Sequence, residues 1–351
     1  MSLYQFSHVC LWCLVAMAAF KTAWTAVMLT VLRPRRGPRV PDEQLPKAAV
    51  LLCLRGADPS LADCLERLIV QDYPNFQIFI AVDSTSDPAW DVACAVVERT
   101  GAANVRVAPL RRRLKTCSLK CSSLVQLLDE VDESFEAIVL ADADLESHTT
   151  WLRELVEPLA DPNVGAAFGN RWFLPNQGLV GSLVRQVCNG PGVVVMHAVE
   201  IPWGGSLAIR ADVLRAGRLR EKWSHSIVDD GPVRTVVKQQ GLKLRFVPSL
   251  LMANREDCTL PFAYNFLRRQ LTWTKTYVAP WWPVMVGYSF VAVAMWTISA
   301  VMAMVCAAAG QTAPAWNFAG GAAALGGAVV ALWLALDIAA RRLVRAHGEP
   351  A

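Results

Sequence analysis

Charge is what one long stretch of this chain lacks: from Tyr277 through Leu336 there is no Asp, Glu, Lys or Arg. With a hydrophobic content of 54%, that argues against a wholly soluble fold. The run breaks at GQTAPAWN into two apolar segments, 283 to 309 and 316 to 338, each long enough to cross a bilayer as a helix. A third apolar segment runs from Val9 to Leu32 and contains Lys21. It has no basic n-region and is too long for the apolar core of a signal peptide, so it reads as an uncleaved anchor whose Lys21 faces another helix or snorkels. Paired metal-binding cysteines are also missing. Ten cysteines are scattered, and the single C-x-x-C, Cys10 to Cys13, sits in the first apolar segment without a second pair or a sequence cluster of histidines. That favours apolar packing over a zinc site, with the remaining thiols reduced in a cytoplasmic domain. The net charge of +4 is small for a nucleic-acid footprint.

The basic clusters lie where lipid headgroups would be. RPRRGPR follows the first span, Arg268, Arg269 and Lys275 precede the second, ARRLVR follows the third, and the loop between the last two is uncharged. All three place residues 33 to 280 on the cytoplasmic side, and the expectation is an integral protein of a bacterial inner membrane. The divisions expected are an anchor at 1–32, a linker at 33–47, a cytoplasmic domain at 48–259, an interfacial segment at 260–282, two transmembrane helices in 283–339 and a basic tail at 340–351.

Within 48–259 strand and helix patterns alternate, as in an α/β sheet with its chemistry at the carboxyl ends of the strands. AAVLLCLR, FQIFIAVD, NVRVAPL and AIVLADAD read as strands, and SLADCLERLIVQ, PAWDVACAVVERTG and KCSSLVQLLDEV as helices, the middle one closed by Gly101. Asp83 ends the second strand. Asp142 and Asp144 end the fourth, and on an extended strand they point the same way, so two like charges meet unless a cation lies between them. Hard carboxylate oxygens with phosphates to complete the shell suit Mg2+ or Mn2+; the same pair also reads as a solvated strand-to-helix turn. Further on, VGAAFGNRWF and GSLAIR read as strands and RADVLRAG as a short helix. In VDDGPVRTVVKQQG, Gly231 and Pro232 fit a helix start and Gly241 its end, so Asp229 and Asp230 are either caps or chemistry. LPFAYNFLRRQLTWTKTYVAPWWP interleaves aromatics with Arg and Lys, as a helix lying in the headgroup layer does.

A strand-ending Asp, then D-x-D, then D-D at a helix start, then a basic residue and Trp beside membrane spans resembles the membrane-anchored inverting glycosyltransferases of the GT-A fold, and among them the ceramide glucosyltransferase family. The similar stretches are LRGADPSLADCLERLIVQDYP, VDSTSDPAW, SLKCSSL, LADADLES, WGGSLAIRADVLRAG, VDDGPV and RQLTWTK, over nearly the whole chain. Thr272 stands where the family has Arg before the Trp, and CNGP at 188–191 where relatives often have His before the Pro. The resemblance implies a Rossmann-like nucleotide-sugar domain with one N-terminal and two C-terminal transmembrane helices. It also implies transfer of a sugar, glucose first, from a UDP-sugar to the hydroxyl of a membrane lipid, ceramide first. In these terms Asp83 binds the base or ribose, Asp142 and Asp144 hold a divalent metal (Mn2+ or Mg2+), and Lys120, Arg269 and Arg111 to Arg113 offer charge to the diphosphate. Asp230 is the base with Asp229 as runner-up, and Trp273 and Trp203 wall the sugar and lipid. Other readings are another acceptor (hopanoid, diacylglycerol or polyprenyl phosphate), a polysaccharide synthase, or a non-catalytic nucleotide-sugar-binding scaffold. Nucleic acid is not an expected partner, and the oligomeric state is open.

Overall fold

The computed structural model describes residues 1–33, 39–277, 279–280 and 282–349, in two compact units: Met1–Arg33 with Pro261–Arg342, and Pro34–Leu260 with Leu343–Ala351. The chain opens on helix α1 (Leu3–Val31). Its Ser2 hydroxyl accepts from the Gln5 N–H while the Gln5 side chain accepts from the Ser2 N–H, which satisfies two orphan donors at the helix start.

In the second unit β1 (Ala48–Leu54), β2 (Phe76–Val82), β3 (Val105–Pro109) and β4 (Ala137–Ala141) are joined by α2 (Leu61–Ile69), α3 (Pro88–Thr100) and α4 (Leu119–Leu128). β1 and β4 are unbroken apolar runs, and β2 is one after Gln77, because both faces are covered; Ala48, Val50, Leu52, Val139 and Leu140 are buried. Helix α3 is bounded by local chemistry. Asp87 accepts from the Ala89 N–H, Pro88 occupies the first turn, and Gly101 closes the helix in the left-handed region at φ +63°. The chain continues through α5 (Trp151–Val156), β5 (Val164–Phe173), α6 (Val180–Ala198), β6 (Ser206–Arg210), α7 (Ala211–Ala216), α8 (Leu219–Trp223), α9 (Asp230–Gln239) and β7 (Lys243–Asn254).

The sheet order is β3-β2-β1-β4-β6-β5-β7. β6 runs antiparallel to β4 and β5, while the other pairs are parallel. The chain therefore builds outward from β1 to β3 and then returns to the far side of β1 for β4. In an open α/β sheet, that reversal of order leaves a crevice at the carboxyl ends of the two strands. The register pairs Leu54 with Val82 and Leu52 with Ala141, so Asp83 and Asp142 leave the sheet along the same edge. Trp151, fully buried beneath it, donates its indole N–H to the Ser206 hydroxyl at 2.9 Å and ties α5 to β6.

The other unit holds α1, α10 (Leu260–Tyr277), α11 (Trp282–Ala308) and α12 (Thr312–Ala346). α1, α11 and α12 are long and apolar enough to span a membrane. α12 continues past the expected end at 338, where Asp337 pairs with Arg341 one turn on at 2.6 Å. Gly321 lets α12 approach α1: a Cβ there would sit 3.1 Å from the Leu11 Cα. Cys10 packs with Cys306 and Phe318, as apolar packing of the C-x-x-C anticipates, and Lys21 faces α11 with its ammonium 5.2 Å from the Tyr288 ring centre.

Candidate active site

The crevice between β1 and β4 holds a cluster of carboxylates threaded by two cations. Lys120, in the first turn of α4, places Nζ 2.6 Å from Asp142 Oδ1 and 2.7 Å from Asp229 Oδ2, joining residues from three segments. The approach is built into the backbone. The Ser118 N–H donates to the Ser226 carbonyl at 2.9 Å, Thr116 Oγ1 donates to the Ser224 carbonyl at 2.6 Å, and the Trp223 indole donates to the Asp229 carbonyl at 2.8 Å. Opposite Lys120, Arg171 reaches from β5 to Asp142 at 3.4 Å and Asp144 at 3.7 Å. Its guanidinium stacks 4.7 Å from the centre of the Trp203 ring. Asn254, at the end of β7, donates to Asp144 Oδ2 at 3.0 Å.

Two glycines let these groups meet. A Cβ on Gly204 would lie 2.0 Å from Asp229 Oδ2, and one on Gly205 would lie 2.2 Å from the Trp203 ring and 2.5 Å from Asp142 Oδ2. Only a residue without a side chain lets the entry to β6 pass behind the carboxylates.

The environment divides the acids by role. Burial alone would raise the Asp142 carboxyl, but the Lys120 and Arg171 charges outweigh it and hold it below the usual carboxylate range. Asp144 is raised, by burial first and by the Asp142 charge, against the pull of Arg171. Asp230 is raised to about 7, by burial and then by the neighbouring Asp229 charge, while Lys120 and the N–H groups of Gly231 and Gly204 oppose the rise. Burial disfavours the Lys120 ammonium, yet Asp142 and Asp229 hold its pKa well above the ordinary lysine value, so it stays charged.

Of the residues singled out by sequence, Asp142, Asp144, Lys120, Asp229, Asp230 and Trp203 converge here. Asp83 lies further along the same sheet edge with Arg55 at 3.7 Å. Arg269 and Trp273 belong to α10 in the other unit, where the guanidinium sits 5.0 Å from the Trp273 ring centre, and Thr272 donates back to the Arg268 carbonyl. Arg111 pairs with Glu130 while most of its side chain stays in solvent. Asp229 occupies the cap position of α9 but its side chain caps nothing and turns to Lys120. Sequence reasoning missed Arg171, within β5, and Asn254, the last residue of β7, which carry no motif.

The donor set fits a divalent cation. Asp142 and Asp144 offer hard oxygens, and four carboxyl groups face two cations, so the cluster keeps an anionic excess even with Asp230 protonated. The raised Asp144 carboxyl is the group that a further cation would relieve.

A mixed α/β sheet with paired strand-end carboxylates at its switch point, accompanied by one N-terminal and two C-terminal apolar helices, defines a membrane-anchored GT-A glycosyltransferase. The chain belongs to glycosyl transferase family 21, whose model matches residues 10–350. It is 34% identical over 64 residues to a ceramide glucosyltransferase of Komagataella phaffii, a stretch covering 18% of this chain and only 13% of that protein. In fold it is similar to a mannosyltransferase of Pyrobaculum calidifontis in complex with GDP-Man and Mn2+, at a TM-score of 0.56 and 15% identity over 95% of this chain and 98% of that one.

Proposed function

We propose that the chain transfers a hexose, glucose first, from a UDP-sugar to the hydroxyl of a membrane lipid, ceramide first, with inversion at the anomeric carbon. The observation that carries this reading is Asp230. It is a buried carboxyl poised at about 7 beside the D-x-D and lysine cluster, where a general base for a neutral hydroxyl is most effective. Asp230 takes the acceptor's proton as its oxygen bonds to the anomeric carbon, and the bond from that carbon to the diphosphate oxygen breaks, so UDP departs with the electron pair.

Asp83 lies two strand spacings, about 10 Å, from Asp142 along the sheet edge, a span suited to ribose at one end and diphosphate at the other. Lys120 and Arg171 hold Asp142 ionised, and Trp203 supplies an apolar wall. A divalent ion held by Asp142 and Asp144, when bound, neutralises the leaving diphosphate. Arg269 and Trp273 are assigned to the donor from the membrane-proximal motif. An acceptor that lives in the bilayer explains why the domain carries membrane helices: proximity replaces extraction of the lipid. The basic residues flanking the apolar helices support a cytoplasmic side for the catalytic unit.

The test is incubation of the detergent-solubilised protein with ceramide and a panel of UDP-sugars, with Mn2+, Mg2+ or chelator, and mass spectrometry of the lipids. The expected result is a hexosylceramide lost with chelator and with Asp230→Asn. Donor consumption with another lipid as product moves the acceptor; full turnover by Asp230→Asn removes the hydroxyl mechanism and favours an acceptor already ionised, such as a polyprenyl phosphate.

A further inference from the structure

Away from the D-x-D, on the loop and helix that follow it, His148, Glu154 and His347 bring one ligand atom each to within 4.8 Å of one another. His347 comes from residues 343–349, which pack as part of the same unit. The two imidazoles stack with centres 3.9 Å apart at 18°, and His347 Nε2 lies 3.5 Å from Glu154 Oε1.

Hydrogen bonds determine which nitrogen carries the lone pair. The Thr150 hydroxyl has one proton and donates it to Glu154 Oε1 at 2.6 Å. At His148 Nδ1, 3.0 Å away, that hydroxyl therefore accepts, and the ring proton sits on Nδ1. His148 Nε2 is then a bare lone pair, buried and without a hydrogen-bond partner among the described residues. His347 Nδ1 faces the Leu343 carbonyl at 3.1 Å, an oxygen that can only accept, so Nε2 becomes the lone pair once an ion displaces the proton it directs at Glu154. Anchoring Nδ1 so that Nε2 is directed inward is how metal-ligating histidines are oriented.

We propose that His148 Nε2, His347 Nε2 and a Glu154 carboxylate oxygen form a second metal site, for a borderline-soft divalent transition ion with Zn2+ first, that fastens residues 343–349 to the loop following the D-x-D. Two imidazoles and one carboxylate suit Zn2+ and not the hard ions expected at Asp142 and Asp144, and water completes the shell. Tetrahedral coordination at 2.0–2.1 Å needs ligand atoms about 3.3 Å apart, so binding requires the three to close from their present separations of up to 4.8 Å. His148 is four residues beyond Asp144, so the ion would brace the segment that carries the catalytic pair.

The full-length protein in detergent is treated with chelator, loaded with Zn2+, gel-filtered in metal-free buffer and assayed by elemental analysis. One Zn2+ per chain is expected. His148→Ala/His347→Ala should lower it at least fivefold, Asp142→Asn/Asp144→Asn should leave it unchanged, and Zn2+ should raise the melting temperature of wild type and not of the histidine variant. X-ray absorption of the loaded wild type should show imidazole scattering, which keeps the test open if the variant misfolds. Zn2+ content that is equal in wild type and the histidine variant, or a shell of oxygen alone, overturns the proposal. So does a wild type that retains no Zn2+: His347 and Glu154 would then be an ion pair only.

Discussion

Replacing Asp230 with Asn removes the proposed base with little other disturbance. Asn matches the neutral acid in size, and the N–H groups of Gly204 and Gly231 that now point at the carboxyl find the amide oxygen instead. With the carboxyl titrating at about 7, about one tenth of the wild type is ionised at pH 6 and about nine tenths at pH 8, so kcat/KM should rise close to tenfold across that range. The Asn variant should lose about 10²- to 10⁴-fold in kcat, equivalent to about 3–5 kcal/mol of barrier, and should lose the pH limb with it. Stability follows the sign of the same shift. A carboxyl whose folded-state value lies above its unfolded value contributes stability at low pH that fades as pH rises towards about 7, so wild type should melt progressively lower relative to Asp230→Asn between pH 5 and about 8. The assay is initial-rate turnover of UDP-sugar and lipid at fixed ionic strength, with melting curves on the same samples. Retention of the pH limb in the variant, or a loss below tenfold in kcat, would refute the assignment of Asp230.

Lys120→Met strands Asp142 and Asp229 without their shared cation. Because 31% of the Lys120 side chain stays exposed, the loss should fall towards the low end for a broken buried pair, about 3 kcal/mol, seen as a drop in melting temperature that Asp142→Asn partly restores in the double variant. Gly205→Ala forces a methyl into the Trp203 ring and Asp142, so activity should fall more than tenfold while circular dichroism stays that of wild type. Trp151→Phe leaves the buried Ser206 hydroxyl without its indole donor and should cost about 1–3 kcal/mol in thermal or denaturant melts, with donor affinity unchanged.

The parallel half of the sheet was legible because buried strands such as β1 and β4 read as continuous apolar runs, and α3 because its cap, its proline and its Gly101 are all local. The two C-terminal apolar helices announced themselves by missing charge. Helix α6 was not legible. Gly190, Pro191 and Gly192 break its pattern, and it persists because Val193, Val194 and Arg185 are buried in the fold. Strand β7 hid behind Pro248 and Ser249; as the last strand of the sheet, with its register to β5 shifted nearby, it tolerates the lost N–H. In the site, Asp142, Asp144 and the Asp229–Asp230 pair could be found from position, but their division of labour could not. That division comes from burial and from Lys120 and Arg171, and the partner of Asp144, Asn254, lies 110 residues away in sequence and is brought to it only by the order of the sheet.

The most direct measurement is the anomeric configuration of the glycolipid formed from an α-linked UDP-sugar, read by proton NMR on purified product. A single base acting on the acceptor hydroxyl, with displacement at the anomeric carbon in one step, predicts a β-linked lipid. An α-linked product would mean retention, and Asp230 could not be acting as the account requires.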